Sequence, residues 1–395
     1  MGENIILELF IMFAAAKLLG EVFVRFRQPA VMGELLAGVL IGPHLLGWVH
    51  LGEAQNVLAE IGVIVLLFTV GLETNLSEFR SVAGPASRVG LLGIAIPFAS
   101  GWGVMRLLGF EQVESLFVGA ALVATSVGIT ARVLKDMDRL WRPEARVVLG
   151  AAVLDDVLGL AILAVVAGLG EGGLSGGRVA LVVGEAVGFV ALLILLGPRL
   201  VRRHGRALLA RPPSERSPFY LALGLCLGLS ALAEGIGLAA LVGAFLAGLI
   251  LAETSEEFEL GRDLTPVADF VAPFFFVVTG AQLDLSVFTD PTVVLVTCAI
   301  TAVAVAGKVL GGVLGARSMG RRQALAVGVG MMPRGEVGIL VASLGLSLGV
   351  VGQDLYGAVI GMSIITTLLA PPLLKPLFFR GPSEPPGERG SAAVR

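Results

Sequence analysis

A chain of 395 residues that is 56% hydrophobic and only 15% charged carries too little charge for a soluble globular surface, where about a quarter of residues are charged. Its net charge of −3 gives no basic field for a nucleic-acid partner, and no soluble partner is expected either. No Walker lysine loop, catalytic triad or metal-ligand cluster is present, so the sequence points to no enzyme and no bound cofactor.

Uncharged stretches of about 20 residues can cross ~30 Å of hydrocarbon as helices. The short alternating segments of a membrane barrel are absent, and lipid satisfies no backbone polar group, so the spans must be helical. Apolar runs between charged or Gly/Pro-rich breaks predict about thirteen helices, over 4–24, 30–47, 54–72, 85–108, 113–134, 147–170, 178–200, 217–233, 237–253, 265–282, 291–316, 323–349 and 356–378. The first lacks the basic start and small-residue cleavage site of a signal peptide and reads as a retained helix. The second follows Pro29 and carries Glu34 near its start; Asp269 lies early in the tenth. Either acid can line a funnel or sit at a solvated helix end. His44 and His50 read as interfacial, and Cys226 and Cys298, with no CxxC or Cys/His spacing, as small packing residues.

The fifth span contains Ala124-Thr-Ser-Val-Gly-Ile-Thr130 and the twelfth Met332-Pro-Arg-Gly-Glu-Val-Gly338. Pro333 removes a backbone donor, and Gly128, Gly335 and Gly338 permit unwinding. Both segments therefore read as interruptions, whose free carbonyls and opposed half-helix ends supply polar surface inside the membrane. Arg334 and Glu336 are expected to pair with each other or with the helix ends rather than to touch an ion. The sixth span holds Asp155 and Asp156 side by side in GAAVLDDVLGL. Each intramembrane charge costs roughly 2.5–3.5 kcal/mol on insertion scales. Neighbours on a helix point about 100° apart, so the two acids must address different partners. Hydrogen-bonded neutral carboxylates are the structural alternative to a functional pair. Lys308 stands mid-span in AVAVAGKVLGG, too deep to reach the interface comfortably, and a salt bridge to one of these aspartates is expected.

The residues after Arg380 are polar and rich in Pro and Gly, and the tail 381–395 is expected to be disordered. Thirteen crossings place Arg25 and Arg27, the cluster from Arg132 to Arg146, the arginines from Arg199 to Arg216, and Arg317, Arg321 and Arg322 on one side. By the positive-inside rule that side is cytoplasmic, with the N-terminus outside and the C-terminus inside. An internal repeat recurs at an offset of about 210. VMGELLAGVLI at 31–41 matches LVGAFLAGLIL at 241–251, GLETNLS at 71–77 matches GAQLDLS at 280–286, and SVGI at 126–129 matches EVGI at 336–339. Copies an odd number of helices apart cross in opposite directions, so the repeat is inverted, as in secondary transporters with a midplane site.

QPAVMGELLAGVLIGP, ALVATSVGITARVL, GAAVLDDVLGL, AGKVLGG and MMPRGEVG together resemble the cation:proton antiporter superfamily, in particular the bacterial two-aspartate sodium/proton antiporters of the NapA type. The resemblance covers nearly the whole chain. It implies one transmembrane unit over 1–380 with two crossed discontinuous helices. It also implies a homodimer joined through scaffold helices (4–72 and 178–282) beside an ion-carrying core (85–170 and 291–378). Asp156 looks like the Na+-binding aspartate, Asp155 the partner of Lys308, and Thr125 and Ser126 the residues bordering the site. Gly128, Thr130, Pro333, Arg334, Gly335 and Glu336 fall at the crossing. The implied activity is electrogenic export of Na+, with Li+ as an alternative cargo, in exchange for H+ across a bacterial inner membrane, with Lys308 able to carry a second proton. A potassium/proton antiporter of the same fold is the alternative, and a sodium-coupled symporter a remoter one. Potassium-efflux relatives often alter the aspartate pair and add a large cytosolic nucleotide-binding domain, for which the tail here leaves no room. An intramembrane aspartyl protease needs aspartates converging from two helices, which neighbours on one helix cannot do, and a channel needs no inverted repeat.

Overall fold

A computed structural model of the chain describes residues 4–26, 28–170, 176–201, 217–255 and 260–379. The expected tail at 381–395, Arg27 and the arginines from Arg202 to Arg216 lie outside the described residues. The described residues are all-helical, with no strand. The first half holds α1 (Ile5–Arg25), α2 (Ala30–Ile41), α3 (Glu53–Leu72), α4 (Leu76–Ser81), α5 (Ala83–Leu107), α6 (Gln112–Ala121), α7 (Val127–Asp136) and α8 (Pro143–Gly170). After α9 (Gly176–Leu200) come α10 (Ser217–Gly235), α11 (Ala240–Ser255), α12 (Leu260–Ala281), α13 (Pro291–Gly315), α14 (Arg321–Gly330), α15 (Glu336–Ser347) and α16 (Gln353–Phe379). Each of the thirteen expected spans meets one helix or one pair of half-helices; the short α4 was not foreseen by hydropathy.

Helix ends follow local chemistry. The Asn4 side chain accepts from Leu7 N–H at 3.2 Å and opens α1, with Glu8 in its first turn and Arg25 in its last, each complementing the helix dipole. Asp290 accepts from Thr292 N–H at 2.7 Å, and Pro291 pre-sets the first residue of α13. Seven helices among the described residues (α3, α5, α9, α10, α12, α13 and α16) are each long and apolar enough to cross a membrane, and α2, α11 and α15 are shorter apolar helices.

Packing sorts the helices into two sets. In one, α3 lies against α11 and α12, α2 against α1 and α12, and α10 against α11. In the other, α13 packs on α5, α14 and α16, and α5 on α6 and α8. The α9 helix contacts both α8 and α11. Lipid tails are as apolar as leucine, so helix association depends on close backbone approach through small residues. That requirement explains the repeated glycines. A Cβ on Gly38 would lie 2.0 Å from Val277 O, and one on Gly280 2.0 Å from Leu35 O, where α2 meets α12. A Cβ on Gly248 would lie 2.2 Å from Phe68 O, and one on Gly71 2.3 Å from Phe245 O, where α11 meets α3. Gly38 and Gly248 are repeat partners, as are Gly71 and Gly280, so one helix–helix contact is built twice.

Candidate ion site at the crossed half-helices

The fifth and twelfth spans are broken between α6 and α7, over 122–126, and between α14 and α15, over 331–335. In the second break Pro333 lacks an N–H and disfavours helical backbone at Met332. Gly335 is required by proximity: a Cβ there would lie 2.6 Å from Ser126 Oγ and 2.7 Å from Ser126 Cβ. At this crossing Ser126 N–H donates to Pro333 O at 2.8 Å. Thr130 Oγ1 donates to Gly330 O at 2.8 Å, satisfying a carbonyl at the end of α14 that has no helical partner. Gly128 and Gly338 were expected to sit in unwound backbone. Both instead lie inside half-helices, α7 and α15, because the hydrogen-bonded turns restart at Val127 and Glu336. A Cβ on Gly128 would lie 2.8 Å from Val63 Cγ2, so that glycine serves the approach of α7 to α3.

The charged residues converge on the crossing from α8 and α13. Lys308 is fully buried, at 0% exposure, and its Nζ lies 2.5 Å from Asp155 Oδ2. The same carboxylate oxygen accepts from Thr125 Oγ1 at 2.7 Å. Asp155 is thus joined both to a cation and to the first break, while its Oδ1 is buried without a hydrogen-bond partner. Asp156 is also buried. Gly159, Leu160 and Leu163 follow it at helical spacing on one face of α8, and all three line a cavity of about 520 Å³. That cavity lies between the two helix sets, walled by Asn56, Glu60 and Val63 of α3, Glu234 of α10, Phe275 and Thr279 of α12, and Val337 and Leu340 of α15. The Ser126 hydroxyl is buried and has no hydrogen-bond partner. Carboxylate, hydroxyl and carbonyl oxygens are the donors that a hard monovalent cation prefers.

Arg334 is buried too, and its guanidinium donates to Met331 O, at the end of α14, and to Ala304 O, both at 3.4 Å. It therefore meets the partly negative end of a half-helix, one of the two partners expected for it. Glu336 is the first residue of α15.

Away from the cavity, α7 carries charges that read in the sequence only as topology markers. Arg132 Nε pairs with Asp136 Oδ1 at 3.0 Å, Nη2 with Glu34 Oε1 at 3.6 Å and Nη1 with Asp269 Oδ1 at 3.7 Å. Lys135 Nζ reaches Glu73 Oε1 at 2.9 Å and Thr69 Oγ1 at 3.0 Å. These contacts tie α7 to α2, α3 and α12. A solvated helix end, one of the two places considered for Glu34, is thereby excluded: the residue is 1% exposed because Arg132 folds over it. The Asp269 side chain, at 55% exposure, remains solvated. The i,i+4 spacing of Arg132 and Asp136 was the one sequence signal for this cluster. On the opposite side His50 Nδ1 lies 3.0 Å from Glu8 Oε1, and Asp284 is held below the ordinary carboxylate range chiefly by hydrogen bonds from Ser286, with His44 nearby.

The family model described as "Sodium/hydrogen exchanger, transmembrane" matches residues 10–380. The chain belongs to the sodium/hydrogen exchanger family. Family members are membrane transporters, not enzymes, and the chain is a multi-pass membrane protein of that kind. It is 36% identical to the high-affinity Na(+)/H(+) antiporter NhaS3 of Synechocystis sp., over 95% of this chain and 90% of that one. It is 34% identical to the Na(+)/H(+)-K(+) antiporter GerN of Bacillus cereus, over 94% and 95%. The sodium proton antiporter MjNhaP1 of Methanocaldococcus jannaschii shares the fold, with a TM-score of 0.72 at 19% identity over 97% of this chain and 100% of that one. In this family setting the crossed half-helices and the buried acid–lysine pair are the polar centre of an exchanger fold.

Proposed function

We propose that the chain exchanges sodium for protons by alternating access of a site at Asp156. The observation that carries this reading is a buried Lys308–Asp155 pair beside a second buried carboxylate at the crossing of two broken helices. A carboxylate stripped of water holds either a proton or a small cation, so the two compete and their fluxes couple. Thr125, Ser126 and the opened carbonyls complete the oxygen shell. Lys308 balances the acids when no sodium is bound, and its proton is the second one carried, which makes the exchange electrogenic. One buried charge without a partner costs several kcal/mol, so an unoccupied site without Lys308 is a poor resting state.

The two faces of the molecule support the access cycle. The cavity along the Asp156 face of α8 is lined by Glu60 and Glu234, whose charge attracts cations, while Arg132 and Lys135 fasten α7 to the other helix set on the opposite side. The side of α7 carries the basic residues, Arg25, Arg139, Arg142, Arg199 and Arg317 among them, and is read as cytoplasmic. The cavity then faces outward, the N-terminus lies outside, and Na+ leaves the cell as H+ enters across a bacterial plasma membrane. Helices of 4–72 and 178–282 act as a scaffold through which two copies pair, and the helices of 85–170 and 291–378 move against it.

The name of the Bacillus cereus relative includes potassium, so potassium belongs in the test beside sodium and lithium. In proteoliposomes with a preformed pH gradient, sodium is expected to collapse the gradient. A response to potassium alone would replace sodium as the cargo, and a flux that does not saturate would indicate a channel.

A further inference from the structure

Helix α16 carries two adjacent buried threonines with no part in the exchange chemistry above. Thr366 Oγ1 accepts from Arg334 N–H at 3.2 Å and donates to Ser363 O at 2.9 Å. Thr367 Oγ1 donates to Arg334 O at 2.8 Å. Consecutive hydroxyls of one helix thus hold both backbone groups of the residue between Pro333 and Gly335. Both of those neighbours touch the first break, Pro333 through its carbonyl bond from Ser126 and Gly335 through its fit against the Ser126 side chain, beside the bond from Thr125 Oγ1 to Met331 O at 3.4 Å. A continuous path therefore runs from α16 through Arg334 and Pro333 to Ser126, then through Thr125 to Asp155.

The inverted repeat gives this pair a counterpart. Helix α8 begins at Pro143 and α16 at Gln353, so α16 is the second-repeat copy of α8. Thr366 and Thr367 fall within one residue of the positions matching Asp155 and Asp156. In the first repeat the copy contacts its break through a carboxylate that accepts from Thr125; in the second it contacts its break through hydroxyls.

We propose that Thr366 and Thr367 are positioning residues for the cation site: they fix the peptide of Arg334, and through it the register of the two breaks, and so set cation affinity without touching the ion. The proposal rests on the exchange reading above. Its test compares wild type, the double variant Thr366→Val/Thr367→Val and the double variant Thr366→Ser/Thr367→Ser in proteoliposomes, with sodium titrated against collapse of the pH gradient and thermal unfolding followed in detergent. Valine keeps the shape and removes both hydroxyls. The expected result is a rise of about fivefold or more in the KM for sodium, a maximal rate changed less than twofold, and return to the wild-type KM in the serine variant. An unchanged KM with a lower maximal rate or unfolding temperature would overturn the proposal in favour of plain backbone capping, as would serine failing to restore KM. If the valine pair does not fold, the single Thr367→Val variant, which removes one bond, gives the same reading. A wild type silent to every cation would instead overturn the exchange reading, and this proposal with it.

Discussion

The two breaks share one architecture and differ in chemistry. Each is a short extended segment between half-helices, and each is gripped by a long helix from the same repeat. The first break meets a carboxylate paired with Lys308. The second meets two hydroxyls, and the arginine it carries turns onto the end of α14. The gripping helix of the first repeat thus brings an ionisable carboxylate to its break, while that of the second brings hydroxyls, which carry no charge at any physiological pH. The contrast teaches how a duplicated scaffold can keep its shape in both halves while only one of the two gripping helices puts an ionisable side chain at its break. A site at a pseudo-symmetric crossing gains a fixed wall and a titratable wall.

The comparison breaks most completely at the point where the halves touch. Gly335→Ala would put a Cβ inside contact distance of Ser126, so the crossing must separate. Exchange is expected to fall below detection in liposome assays, whereas Gly128→Ala, facing the end of the Val63 side chain, should keep measurable activity. Equal loss in both would mean that crossing contact is not what matters. Next in size is Lys308→Gln, which leaves Asp155 buried without its cation. Loss of a buried partner costs roughly 3–5 kcal/mol, and the site is expected to respond by keeping Asp155 protonated. Exchange should persist but cease to be electrogenic, as read with a potential-sensitive dye; unchanged electrogenicity would remove Lys308 as a proton carrier.

A smaller effect is expected from Thr125→Val, which removes the hydroxyl joining the first break to Asp155. The KM for sodium should rise about tenfold or more, in line with loss of a hydrogen bond to a charged group. An effect smaller than that of Thr367→Val would reverse the assignment of the two walls. Acidity should act on the titratable wall alone. As pH falls below the pKa of the sodium-binding carboxylate, protons displace sodium, and the KM for sodium should rise about tenfold per pH unit. A KM flat across the acidic range would contradict competition at one site. The smallest change in sodium affinity is expected from Arg132→Gln, because Arg132 and its partners Glu34, Asp136 and Asp269 lie away from the cavity. It should loosen α7 from the scaffold and increase labelling of cysteines introduced on the α7 side, with the KM for sodium within about threefold of wild type.

The helical class, the thirteen spans and the two interruptions could be read from the chain because hydropathy, proline and buried charge are local signals. So could the charges of the site, since Asp155, Asp156 and Lys308 stand in otherwise apolar runs. The glycine repeats were visible as a pattern, but their cause, backbone contact between α2 and α12 and between α3 and α11, needs the fold. The two Gly residues assigned to unwinding, Gly128 and Gly338, were misread because a glycine that permits a break looks in sequence like a glycine that permits close packing. Arg132 and Glu34 were obscure for a different reason: a charge near a helix end reads as solvated until another helix covers it. Thr366 and Thr367 gave no signal alone, since threonine is tolerated in any membrane helix by bonding its own backbone. Only their place opposite the aspartate pair in the repeat sets them apart.

The most direct measurement is sodium-driven collapse of a preformed pH gradient in proteoliposomes, made with wild type and with Asp156→Asn side by side. Collapse in wild type and none in the variant, with the variant folded and inserted, is the result expected of a cation and a proton sharing that carboxylate. Exchange surviving in the variant would contradict a site at Asp156 and move the cargo elsewhere in the crossing.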